Sequence, residues 1–265
     1  MQFNKGLLKS QNIILNLKSK YSTMTKNFAF LLSLLTLVFS CTQPQTKTII
    51  LSKASSNYVN WMASDNTIIL DAYSIANTDS ILALADGIIL TGGEDINPLL
   101  YKDSVNLLVC ETINNERDTL EKKLFDFALL HQIPLIGVCR GMQMMNVATG
   151  GDLYGDIPTE IGTSVIHRNN GEVEHDIVLT DTCSFIFPLN QDTFRVNSWH
   201  HQGLKNVSEL IHVVAKSYDG LPEAVILDKN VHPFMIAVQF HPERLGESNV
   251  ITKTMKASFY NAMDN

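Results

Sequence analysis

Ile133-Pro134-Leu135-Ile136-Gly137-Val138-Cys139-Arg140-Gly141-Met142-Gln143-Met144-Met145-Asn146 reads as a short apolar strand, a sharp turn and the start of a helix. That order lifts the residue at the turn, Cys139, out of a sheet and aims it at a ligand. A thiol there gains twice, because the helix N-terminus favours the thiolate and its free backbone N–H groups can hold an oxyanion. A cysteine ending an apolar strand is more commonly a small buried hydrophobe, so a second element has to decide. Ala237-Val238-Gln239-Phe240-His241-Pro242-Glu243 ends another apolar strand in a histidine with a carboxylate two residues on. Base and orienter are thereby delivered together, as Cys-His chemistry requires, and Pro242 keeps both at a strand exit. Cys139 is the expected nucleophile, His241 its base and Glu243 the orienter.

Outward from this stretch, strands alternate with helices. Thr48 to Leu51, Thr67 to Leu70 and Gly87 to Thr91 read as strands, with a short helix over 56–64. The third strand ends in Gly92-Gly93, where the backbone can come close to a ligand. Glu116 to Gln132 has apolar residues at helical spacing, Leu120, Leu124, Phe127, Ala128 and Leu130, and Pro134 stops it. This alternation predicts an α/β fold with a mostly parallel, covered sheet and its ligands at the carboxyl ends of the strands. Beyond residue 150, apolar runs at Asp176 to Leu179, Leu210 to Ala215, Ala224 to Leu227 and Phe234 to Phe240 predict a strand-rich, partly antiparallel region. A helix near Val250 to Ala262 closes the chain.

At 265 residues, 45% of them hydrophobic, the chain is suited to one α/β domain. The first forty residues hold five lysines and no acid; removing those five from 20 Lys+Arg leaves 15 against 27 Asp+Glu, a net charge of −12. So acidic a body argues against nucleic acid, which needs a basic face. Phe28 to Phe39 is a twelve-residue apolar run behind Lys26, the length and flank of a signal-peptide core and short for a membrane span. Met24 would begin a compact signal by itself. Val38-Phe39-Ser40-Cys41 followed by polar Thr42 to Lys47 resembles the processing site of a bacterial lipoprotein, with Cys41 as the lipidated residue; the alternative is a plain secretory signal with an incidental cysteine. Lipidation would anchor the chain to a membrane of the cell envelope, in the periplasm or outside the cell. Cys110, Cys139 and Cys183 remain, an odd number, so at least one thiol stays free; a Cys110–Cys183 bridge has no spacing signature behind it.

Gly137 to Gln143 and His241-Pro242-Glu243 resemble the catalytic motifs of class I glutamine amidotransferase-like proteins. Arg140, Asn146 to Ile157 (NVATGGDLYGDI), Leu90 to Tyr101 (LTGGEDINPLLY) and Val196 to Gln202 (VNSWHHQ) resemble the gamma-glutamyl-gamma-aminobutyrate hydrolase branch. The resemblance runs from about Ile49 to about Ala262. It implies a flavodoxin-like α/β sandwich over residues 48–265; the apolar run and Cys41 place a signal at 1–40, with Met24 as the alternative start, and a lipid-anchor linker at 41–47 before it. It also implies a cysteine hydrolase that cleaves the amide bond of small gamma-glutamyl conjugates or peptides through a thioester, with no cofactor. A glutaminase subunit feeding a synthetase and a binding lipoprotein on an idle hydrolase fold are the alternatives. Whether the chain forms a homo-oligomer stays open.

On this reading the backbone N–H groups of Arg140 and Gly93 form the oxyanion hole, with glycine at 93 leaving room for the substrate carbonyl, although a simple turn glycine would look the same. By resemblance, Gln143, Ser198, His200, His201 and Arg117 contact substrate; His200 and His201 could equally be neutral packing groups. Arg117-Asp118-x-x-Glu121 and Glu223 match patterns of the branch, Glu223 near the pocket. A metal reading of His200, His201, His241 and Glu243 is weak, because there is no HExxH or paired-cysteine spacing. His131, His167, His175, His212 and His232 show no constellation.

Overall fold

The structure is a computed structural model that describes residues 45–264; the expected signal segment and Cys41 lie outside the described residues. In chain order the elements are β1 (Lys47–Leu51), α1 (Ser56–Met62), β2 (Thr67–Asp71), α2 (Thr78–Leu82), β3 (Gly87–Leu90), α3 (Asn115–His131), β4 (Leu135–Val138) and α4 (Arg140–Ala148). There follow β5 (Leu153–Tyr154), α5 (Ile157–Glu160), β6 (Val173–Leu179), β7 (Thr193–Ser198), β8 (Gly203–Leu204), β9 (Ile211–Ser217), β10 (Pro222–Leu227), β11 (Met235–Val238) and α6 (Val250–Met263). Nine strands form one sheet in the order β2-β1-β3-β4-β11-β10-β9-β6-β7. Pairing is parallel from β2 to β11 and antiparallel from β11 outward. Strand β7 was not foreseen. It takes in Asn197 and Ser198 of the Val196 to Gln202 motif.

The central strands are apolar on both faces because both are covered. Ile49, Leu51, Ile89, Ile136, Val138 and Val238 pack on one side with Trp61 and Met62 of α1 and Met255 and Phe259 of α6. Ile50, Ile88, Leu90, Leu135 and Met235 pack on the other with Leu124, Phe125 and Ala128 of α3 and Met142 and Met145 of α4. The buried stripe of α3 differs from the one its apolar residues suggest. It begins with Arg117, Asp118 and Glu121, continues through Leu124, Phe125 and Ala128, and leaves Leu130 77% exposed. Three neighbouring parallel strands, β3, β4 and β11, therefore end side by side, and their carboxyl ends carry Gly92-Gly93, Cys139 and His241.

Candidate active site

Cys139 occupies the single residue between β4 and α4, at φ 52°, ψ −103°. A non-glycine residue there costs on the order of 1–3 kcal/mol, which the flanking structure must offset. It does so with the Cys139 amide on the Val238 carbonyl at 2.8 Å, and with the Cys139 carbonyl accepting from Met142 and Gln143 at 3.0 and 3.2 Å. Gly141 lets α4 approach the sheet: a Cβ there would meet the Leu90 carbonyl oxygen at 2.1 Å.

His241 follows β11, and Asn197 clamps its peptide from both sides, accepting from its N–H at 2.9 Å and donating to its carbonyl at 3.1 Å. Imidazole Nδ1 lies 2.7 Å from Glu243 Oε1, and the ring also hydrogen-bonds Cys139. Burial disfavours a charged imidazole, but the Cys139 sulfur and the Glu243 carboxylate outweigh it and raise His241 to about 10. The Tyr58 hydroxyl accepts from the Gly92 N–H at 2.9 Å, and burial, with Glu243 and Cys139 beside it, holds its pKa well above the usual range.

A second layer supports the turn at Gly92-Gly93. Arg117 is buried with all three guanidinium nitrogens engaged: Nε with Glu121 at 2.9 Å, Nη1 with Glu94 at 2.6 Å, and Nη2 with the Thr91 and Gly92 carbonyls at 2.9 and 2.8 Å. This corrects its expected role, since the side chain is buried and its hydrogen bonds go to Glu94, Glu121 and the Thr91-Gly92 turn, which it braces from behind. It also corrects the reason for Gly93, where a Cβ would lie 1.8 Å from Arg117 Nη1. Arg140 bonds Asp118, Glu121 and the Glu94 carbonyl; burial lowers it to about 9, so it stays a cation at neutral pH. Arg117-Asp118-x-x-Glu121 is thus a brace between α3, the nucleophile turn and the glycine turn.

Two cavities adjoin at Gly93 and Glu94, one reaching Cys139 and the other His241. One of about 220 Å³ is lined by Cys139, Gln143, Glu94, Asp95, Arg168 and His200, with His201 and Trp199 at its wall. The other, about 450 Å³, is lined by Tyr58, Gly92, His241, Glu243, Lys53 and Arg244. Gln143 spans from the first cavity to the Gln202 carbonyl at 3.1 Å. His201 is held between Asp95 at 3.2 Å and Asp156 at 3.4 Å. Ser198 is a further correction: it is fully buried at the end of β7, its hydroxyl given to the His167 carbonyl at 2.7 Å, and it does not line the cavity. Tyr58, Glu111 and Arg168 were not foreseen; Arg168 pairs with Glu111 at the cavity wall, and no motif marks either.

The histidines sort differently from the sequence reading. His241 faces Cys139 and His201 faces Asp95, so the set His200, His201, His241 and Glu243 is not assembled. His167 and His175, read as belonging to no constellation, converge with His200 on Glu223. Burial lowers His200 to about 3, whereas its neighbours Asp219 and Glu223 overcome burial to raise His167 to about 9. Cys110 and Cys183 are both free thiols.

With this geometry in place, the Peptidase C26 family matches residues 41–243. The chain belongs to that family. Protein NtpR of Enterococcus hirae is 39% identical over 188 residues, spanning 69% of this chain and 77% of its own length. Gamma-glutamyl-gamma-aminobutyrate hydrolase PuuD of Escherichia coli is 32% identical over 195 residues, 69% of this chain and 74% of its own. Among solved structures, a glutamine amidotransferase from Thermotoga maritima superposes with a TM-score of 0.55 at 16% identity, covering 83% of this chain and all of that one. The glutaminase domain of Trypanosoma brucei CTPS gives 0.56 at 16% identity, covering 83% of this chain and 94% of its own. This C26 chain is a glutamine amidotransferase-like hydrolase with the class I amidotransferase fold.

Proposed function

We propose that this chain hydrolyses the gamma-glutamyl amide bond of small conjugates or peptides, with Cys139 as nucleophile, His241 as acid and base, and Glu243 as orienter. The observation that carries this reading is the strained turn at Cys139, whose sulfur meets an imidazole fixed on its other side by Glu243. The thiolate attacks the amide carbon and a C–S bond forms. The resulting oxyanion lies at the backbone N–H groups of Arg140, at the helix start, and of Gly93; one such donor is worth on the order of 10²-fold in rate. Collapse breaks the C–N bond as the His241 imidazolium gives its proton to the departing amine. Water, deprotonated by His241, then cleaves the thioester and frees glutamate and the thiol.

The two cavities divide the substrate. The smaller one offers the carboxylates of Glu94 and Asp95 to an α-ammonium group and Arg168 to an α-carboxylate. The leaving amine belongs on the side of the group that protonates it, in the larger cavity with His241, where Lys53 and Arg244 favour an amine that carries its own carboxylate. Release of glutamate from gamma-glutamyl-gamma-aminobutyrate, gamma-glutamyl dipeptides, a gamma-D-glutamyl peptide and glutamine, by wild type and Cys139→Ala, tests the reading. A gamma-linked conjugate turned over at a rate that drops at least about 10⁴-fold in the variant is expected. Preference for free glutamine, or turnover that survives in Cys139→Ala, would sink it. From Phe28 to Phe39 and Cys41 we also infer export and lipid anchoring. Cell fractionation that finds the unprocessed chain away from the envelope would refute this part alone.

A further inference from the structure

The antiparallel part of the sheet holds a buried group of side chains that the chemistry at Cys139 does not use. His167 enters from the segment before β6, His175 from β6, His200 from the turn after β7 and Glu223 from β10. Irregular pairing of β10 with β9 between Pro222 and Ala224 sets Glu223 at a bulge, a device that re-aims a side chain. Three imidazole nitrogens converge on one carboxylate oxygen. Glu223 Oε1 lies 3.1 Å from His175 Nε2, 3.4 Å from His167 Nδ1 and 3.8 Å from His200 Nε2. Donors around a tetrahedral zinc, with bonds of about 2.0–2.1 Å, stand roughly 3.3–3.4 Å apart. The His175 and His167 spacings to Glu223 bracket that value and the His200 spacing is wider; the donor atoms of His167, His175 and Glu223 all lie within 4.8 Å of one another, with His200 at the edge of the group.

The outer ring nitrogens show which way the lone pairs face. His200 Nδ1 lies 2.9 Å from the Gln202 carbonyl oxygen, which only accepts, so Nδ1 carries the proton and the Nε2 lone pair of the neutral ring is turned toward Glu223. His167 Nε2 is likewise engaged by Asp219 Oδ2 at 2.8 Å, which turns Nδ1 inward. Carbonyl and carboxylate partners of this kind orient metal-bound imidazoles. His167 Nδ1, His200 Nε2 and Glu223 Oε2 are buried without a hydrogen-bond partner, as is His175 Nδ1, the nitrogen opposite the one that meets Glu223. Asp219 and Glu223 also bring two negative charges into the interior, and among the described residues no lysine or arginine pairs with either. One divalent ion would answer both the facing acceptors and the charge.

We propose that His167, His175, His200 and Glu223 bind a divalent transition metal, zinc by their nitrogen-rich donor set. The ion joins four segments of chain and fixes the cavity wall that carries His200 beside Cys139. Elemental analysis of the purified full chain should find about one zinc per chain. Glu223→Gln and His175→Ala should fall to background, whereas His212→Ala, on an exposed histidine, should keep the metal. Cys139→Ala should also keep it; loss there would move the ion to Cys139 and His241 and overturn the proposal. Because the ligand variants could misfold, wild type stripped by chelator is titrated with Co²⁺. Visible bands of a tetrahedral cobalt site, saturating near one equivalent and displaced by Zn²⁺, are expected. A chain that purifies free of metal and shows no such bands carries a protonated imidazole cluster instead, and the proposal fails.

Discussion

Two buried polar clusters flank the cavity at Cys139, and they balance charge in opposite ways. Behind the glycine turn, Lys53, Arg117 and Arg140 face Glu94, Asp118 and Glu121, three positive charges against three negative. Across the cavity, the ionisable partners of Asp219 and Glu223 among the described residues are all imidazoles. The first cluster is complete within its own residues and acts as a fixed brace. The second balances its carboxylates only through imidazoles, whose charge comes and goes with a proton, and a divalent ion could take the place of those protons. A buried network closed by arginine and lysine is fixed, whereas one closed by imidazoles can exchange protons for a cation.

The most damaging way to break the comparison is to open the closed cluster. Arg117→Met leaves Glu121 and Glu94 each short of a partner, with Glu121 fully buried. Breaking such a pair costs about 3–5 kcal/mol, so the urea midpoint should fall with the slope unchanged. Turnover should fall too, as the Gly92-Gly93 turn loses its brace. A loss under about 1 kcal/mol would mean that the brace is dispensable.

Chelation addresses the open cluster. An ion bound only to the folded state adds stability of about 2.7 kcal/mol at a hundredfold excess over its dissociation constant. Removing it should lower the wild-type unfolding midpoint, and Glu223→Gln should be insensitive to chelator. Equal sensitivity in both proteins would erase the distinction between the clusters.

The sequence revealed these regions unequally, for a physical reason. Cys139 sits between a strand and a helix that are continuous in the chain, and His241 and Glu243 are two residues apart, so local pattern was enough to find them. Arg117, Asp118 and Glu121 were visible as a motif, but their neighbours were not. Only folding sets Arg140 and the Thr91 carbonyl against them, and a helix that buries charge shows no clean apolar stripe. His167, His175, His200 and Glu223 come from four segments spread over more than fifty residues, with a bulge aiming one of them. Nothing short-range links them. The parallel strands were legible from their apolar runs, whereas β7, with Thr193, Arg195 and Asn197 among its six residues, was not.

His241 offers a titration that sharpens the contrast, because its positive charge is matched by the sulfur and carboxylate beside it. Its folded value of about 10 lies above the ordinary 6.5. The stability it contributes is therefore complete below about pH 6.5 and is lost as pH rises through about 10. Cys139→Ala removes the leading upward influences and leaves burial opposed by Glu243 alone, so the imidazole should titrate below 10 in that variant. Imidazole NMR signals followed from pH 5 to 11 in both proteins measure this directly. An unchanged midpoint would show that Glu243 alone holds the charge.

The smallest effect is expected at Lys53, the exposed edge of the closed cluster. Its ammonium lies 2.6 Å from Glu94 Oε1 and 5.1 Å from the centre of the Tyr73 ring, with more than a third of the side chain in water. Solvent screening limits such a pair to about 0.2–1 kcal/mol, so Lys53→Met should lower stability by no more than that at pH 7. The Glu94 carboxyl is held down to about 2, against burial, by its hydrogen bonds to Lys53 and Arg117 and by the Arg117 charge. A depressed carboxylate gives stability that is present above its unfolded value, near 4.5, and lost as pH falls through about 2. The variant keeps Arg117, so Glu94 should titrate at a pH between those limits and the loss should begin earlier on acidification. The gap between wild type and variant in urea midpoint should thus be small at pH 7 and shrink toward pH 2. A gap that persists at pH 2 would assign the effect to the packing of the lysine stem over Tyr73, and Lys53 would leave the cluster.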